Sequence, residues 1–164
     1  MRNNVSVIPI PYYYHDHEKM IGAMRRDNEA FGNISVLKGK ISNFDNYDIA
    51  ERHPDAIFIQ FPYDGSSGAM GIPEILYSSN LYKYTDKLIF VPYHTPDAPI
   101  SEEDVATKAM IELVEQPAVI NSDLVIVGSE GLKEYYIKTL VGMTDNSLKD
   151  YWEKRIILKE ELVL

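Results

Sequence analysis

Ala56-Ile57-Phe58-Ile59-Gln60-Phe61-Pro62-Tyr63-Asp64 is the stretch on which the fold turns. Its apolar run is nearly unbroken and rich in β-branched and aromatic side chains, as in parallel strands covered on both faces. Pro62 cannot donate to a ladder, so the strand stops there. Val5–Ile10, Lys87–Val91 and Asp123–Val127 have the same character. These four runs are expected to be neighbouring parallel strands. Asn33–Leu37 and Arg155–Leu158 are shorter and weaker, and would add edge strands.

Helical patterns lie between the runs. Ser101 precedes Glu102, Glu103 and Asp104, an N-cap followed by acidic residues that the helix dipole favours. Val105, Ala106, Ala109, Met110 and Leu113 then recur at helical spacing. Leu132, Tyr135, Tyr136, Thr139, Leu140 and Met143 form a cleaner stripe after Ser129. A helix is expected to start at Pro73 and run through Ile75, Leu76 and Ser79 towards Tyr82. A last one starts after Ser147 and carries Tyr151 and Trp152. Alternation of strand and helix predicts one α/β domain over residues 1–164, three-layered and Rossmann-like, with a mainly parallel sheet.

Composition narrows the function. Sixteen basic and 25 acidic side chains give a net charge of −9, which disfavours nucleic acid and anionic membrane surfaces as partners. No apolar run approaches the roughly 20 residues of a transmembrane helix. Cysteine is absent, which removes disulfides, thiolate metal sites and cysteine nucleophiles. These features point to the cytoplasm, and a longer form could lie peripheral to a membrane. The oligomeric state stays open, a homo-oligomer included.

Three of the main runs end in Pro-Tyr, at Pro11-Tyr12, Pro62-Tyr63 and Pro92-Tyr93, while the fourth ends in Gly128-Ser129-Glu130. In an open parallel sheet these ends share one edge, where ligands bind. Asp64-Gly65-Ser66-Ser67-Gly68-Ala69-Met70-Gly71 joins a strand to a helix, and amides in such a loop can cradle an anion. It matches neither the dinucleotide fingerprint nor the Walker pattern, and a plain surface loop has the same composition. His94 follows a strand end and could serve as acid, base or phosphate contact. Asp64 and Glu130 could supply acid–base chemistry. Glu130 and Ser129 equally suit a helix start. His15 and His17 fall short of the three or four ligands that zinc takes, so no metal and no cofactor is expected. Of the 12 tyrosines, Tyr12, Tyr13, Tyr63 and Tyr93 are placed to stack on a ligand.

Three segments carry a resemblance: His53–Asp64, Tyr77–Leu88 followed by Val91-Pro92-Tyr93, and Pro117–Glu130. In this order they resemble bacterial CDP-glycerol glycerophosphotransferase-like proteins, over about half the chain. The resemblance implies the N-terminal, acceptor-side domain of a two-domain GT-B-like transferase of teichoic-acid type. A missing C-terminal domain would hold the nucleotide donor. The family's first strand–helix unit has no counterpart here, and the chain stops at Leu164. A fragment or reduced form is therefore expected, one that does not transfer glycerophosphate from CDP-glycerol alone. Tyr63, Asp64, Gly65, Gly68, His94, Ser129 and Glu130 would line a cleft for a polyol- or sugar-phosphate acceptor. The rival expectation is a non-catalytic module that binds a small ligand or docks a protein.

Overall fold

The computed structural model describes residues 5–8, 13–14, 42, 44–68, 70–92, 101 and 105–162. Six strands occur among them: β1 (Tyr13–Tyr14), β2 (Ala56–Ile59), β3 (Met70–Gly71), β4 (Lys87–Phe90), β5 (Leu124–Val127) and β6 (Ile156–Leu158). The helices are α1 (Ile49–Arg52), α2 (Ser78–Leu81), α3 (Val105–Val114), α4 (Pro117–Asn121), α5 (Glu130–Met143) and α6 (Lys149–Arg155). β2, β4, β5 and β6 form a parallel sheet in that order, so the fold is α/β as the alternation predicts.

Three of the four main runs thus take their expected places. The first does not, as far as it is described: Val5–Ile8 contributes a bridge at Val7 and no strand of this sheet. Val7 accepts the Ser42 amide at 2.9 Å instead. Pro9 and Pro11 explain the shortfall, since they leave few ladder donors after Val7. Arg155–Leu158 supplies the fourth strand, at an edge. Asn33–Leu37 lies outside the described residues.

Register sorts the side chains onto two faces. Ile59, Leu88, Phe90, Val125, Val127, Ile156 and Leu158 share one face and are buried. They form a single core with Leu81 of α2, Val114 of α3, Ala118 and Val119 of α4, Leu132, Tyr136 and Leu140 of α5, and Trp152 of α6. Full burial of each aliphatic side chain stabilises by roughly 1.5–3 kcal/mol. Ile89 is also fully buried, on the opposite face. Phe58, on that face, remains 49% exposed.

The edge from which the strands start is tied by side chains. Thr85 Oγ1 donates to the Pro54 carbonyl at 2.8 Å, and Asp123 accepts the Leu88 amide at 2.9 Å. Arg155 donates to the Ser122 carbonyl at 2.7 Å while its guanidinium covers the Tyr151 ring. At the other end of β6, Glu161 accepts from Lys133 Nζ at 2.8 Å and from the Leu158 amide at 2.6 Å. Those two donors hold its carboxyl below the usual range.

Tyr136 sits on the inner stripe of α5, and burial pushes its phenol up to about 12. A raised value favours the neutral form, so the folded state loses stability as pH climbs from the unfolded value near 10 towards 12. Below pH 10 the contribution is intact, and its full loss is about 2–3 kcal/mol. Y136F is expected to flatten this alkaline limb in urea unfolding measured at several pH values. Equal slopes for the two proteins would count against it.

Candidate functional site

The chain leaves β2 through Phe61 and Pro62 and turns sharply. Ser66 donates its amide to the Tyr63 carbonyl at 2.7 Å, and Asp64 adopts φ 45°, in the left-handed region. Such a φ is uncommon outside glycine, although Asp tolerates it better than most residues. Asp64 is only 6% exposed, and its carboxylate is directed at α2. It accepts from the Ser78 amide at 2.6 Å, the Ser78 hydroxyl at 2.9 Å and the Ser79 amide at 3.2 Å. A side chain 14 residues upstream therefore caps this helix.

That cap explains why the helix expected from Pro73 is not continuous. Glu74–Leu76 form a single 3-10 turn, Tyr77 becomes extended at ψ 141°, and α2 starts afresh at Ser78. The break turns the first amides of α2 towards Asp64. Tyr77 also limits Gly65: a Cβ there would lie 2.9 Å from the phenol oxygen and 3.3 Å from the ring. Gly68 has open space around its Cα.

The far side of the loop is fastened too. Ser66 Oγ lies 2.9 Å from Gln116 Oε1, and the Ala118 amide donates to the Pro62 carbonyl at 3.1 Å. Asn121 Nδ2 reaches Ser78 Oγ at 2.9 Å, extending the Asp64 network to α4. Ser67 Oγ accepts the Met70 amide at 3.1 Å.

After β5, Ser129 is extended and its hydroxyl accepts the Leu132 amide at 3.3 Å. The serine is the N-cap of α5, and Glu130 lies exposed in the first turn. Tyr63, Asp64, Gly65 and Gly68 thus share one loop, while Ser129 and Glu130 open the helix two strands away. Strand spacing puts these segments roughly 10 Å apart, with the end of β4 between them. His94, the expected third contributor, lies outside the described residues, as do Tyr12 and Tyr93. Tyr63 meets Phe61 edge-on, with ring centroids 5.5 Å apart.

An open hollow of about 360 Å³ lies elsewhere, lined by Phe44–Ile49 and Ile75, and none of the expected site residues borders it. Among the described residues no group of three His, Asp or Glu is arranged to hold a metal. Nor is any helix among them long and apolar enough to cross a membrane. Ser78, Gln116 and Asn121 were not singled out from the sequence. Only the Tyr77-Ser78-Ser79-Asn80 cluster, rich in capping residue types, gave a signal for the first of them. No family model, curated protein or solved structure matches this chain.

Proposed function

We propose that the chain is an acceptor-binding domain of the CDP-glycerol glycerophosphotransferase type, Rossmann-like and related to the N-terminal domains of GT-B transferases. A small polyol or sugar phosphate would occupy the crevice above the end of β4. One observation carries this reading. The loop after β2 and the start of α5 flank that strand end, on the edge where parallel sheets take ligands, and the opposite edge is tied by Thr85, Asp123 and Arg155. In it, Asp64 holds the loop and does not touch the ligand, because its carboxylate is committed to α2. Tyr63, Gly65 and Gly68 on one side and Ser129 and Glu130 on the other would face the acceptor.

The experiment is a titration with glycerol 3-phosphate followed by backbone amide shifts. It should reach about 10 mM, tenfold above a millimolar dissociation constant. Shifts are expected to cluster at residues 63–68, 70–71 and 128–131. Their absence there at the highest concentration overturns the reading. A protein-docking module would then be favoured by the sheet face that carries half-exposed Phe58 at one edge and partly buried Leu124, Ile126 and Ile157 towards the other.

A further inference from the structure

The two edges of the parallel sheet are finished differently. At β6 the amides of Ile156 and Leu158 point away from β5, and both are taken. The Trp152 carbonyl accepts the first as α6 closes, and Glu161 accepts the second at 2.6 Å. Such stops blunt an edge strand, whose unpaired amides and carbonyls otherwise invite another strand. β2, at the opposite edge, has none. Ile59 accepts the Val91 amide at 2.8 Å, so the backbone groups of Ile57 and Ile59 face β4. Those of Ala56, Phe58 and Gln60 therefore face outwards, and among the described residues no hydrogen bond reaches them.

The side chains along this edge do nothing to repel a strand. Ala56 to Phe61 carry no charge, in a chain whose net charge is −9. Phe58 is 49% exposed next to the free edge, and Gln60 is exposed as well.

We infer that this edge pairs with the same edge of a second copy, antiparallel and with Phe58 on the twofold axis. The sequence complements itself in that register. Phe58 exchanges both backbone bonds with its own copy, Ala56 does so with Gln60, and Ile57 lies opposite Ile59. Pro54 meets Pro62, and since neither can donate, the ladder stops at both ends together. A shift of two residues either way would draw a proline into the ladder, opposite Gln60 or Ala56. Asp55 faces Phe61, so no like charges oppose each other. A twofold pairing also closes on itself and leaves no edge of this kind free. One strand pair is smaller than a standard interface, so the dimer is weak and concentration-dependent. It does not depend on what the cleft binds.

Sedimentation velocity of the full chain, from about 5 to 500 μM, is expected to show a monomer–dimer equilibrium in the upper part of that range. Hydrogen exchange at the Phe58 and Gln60 amides should slow several-fold with concentration, while Leu158, already bonded, does not change. F58K sets two ammonium groups together at the axis and should weaken the dimer about tenfold or more. A56K/Q60K places like charges opposite each other and should separate the copies too. A56K/Q60E sets each introduced lysine opposite an introduced glutamate and should keep them paired. The first of these makes the acidic chain less charged, so a general charge effect would act in the opposite direction. Trp152 fluorescence reports that each variant is folded, and the two double variants decide the matter if F58K is not. A monomer at about 500 μM overturns the inference. So does a dimer that F58K leaves intact, or one that responds alike to both double variants.

Discussion

Replacing Asp64 with alanine is expected to lower the free energy of unfolding by about 3–5 kcal/mol. Three donors, the Ser78 and Ser79 amides and the Ser78 hydroxyl, lose their acceptor together. Each buried donor left without a partner costs roughly 1–3 kcal/mol, reduced where water can enter. Alanine also fits φ 45° less well than aspartate, which adds up to about 1 kcal/mol. Two further variants separate these causes. D64G relieves the backbone but removes the same acceptors, so it should recover about 1 kcal/mol and no more. D64N keeps one acceptor and a tolerant backbone, and should lose about half as much as alanine. The single tryptophan, Trp152, reports unfolding by fluorescence. A loss below about 1 kcal/mol for D64A would mean that the carboxylate is no anchor.

A carboxylate at a strand end looks the same in sequence whether it waits for a ligand or caps a helix, since both roles need N–H donors. The choice was made by Ser78 and Ser79, whose amides are freed only because Tyr77 leaves the helix. Periodicity cannot see that break: Ile75, Leu76 and Ser79 keep helical spacing across it. The links from Ser66 to Gln116 and from Ser78 to Asn121 span 50 and 43 residues, so no local pattern announces them. Ser129 is different. Its cap is written in the residues just after it, and the structure realises it.

Strands were legible where the apolar run is continuous, as at β2, β4 and β5, although Phe58 of β2 ends up half exposed on the face away from the core. Val5–Ile10 is similarly apolar, but Pro9 interrupts it and Pro11 follows it, and neither can donate to a ladder. β6 has only Ile156, Ile157 and Leu158 to offer. It succeeds at the sheet edge because Arg155 ties the residue before it to Ser122, and Glu161 holds the Leu158 amide. Likewise the stripe of α5 was readable through Leu132, Tyr136 and Leu140, yet Met143 ends up exposed. The helix stops at Met143, and Thr144, the next residue, turns the chain towards α6.

That corner is where the second large effect is expected. Trp152 is 4% exposed, and its indole N–H reaches Thr144 Oγ1 at 3.3 Å. The same hydroxyl donates to the Leu140 carbonyl at 2.7 Å, so the indole is joined through it to the last turn of α5. Tyr151 meets the ring edge-on at 4.9 Å between centroids. W152A removes the largest side chain of the core where α5, α6 and β6 meet, and should cost about 3–5 kcal/mol. W152F retains most of the buried ring and gives up only the N–H bond, so about 1–2 kcal/mol is expected. Position matters as much as size: β6 follows α6 directly, and a loosened α6 frees the edge strand first. Amide exchange at Ile156 and Leu158 should therefore accelerate in W152A more than exchange at Leu88 or Phe90 in β4. Circular dichroism replaces fluorescence as the unfolding signal, because no other tryptophan remains. Uniform acceleration across the sheet would show that the corner does not hold β6 separately, and a stability loss under about 1 kcal/mol would remove Trp152 from the core altogether.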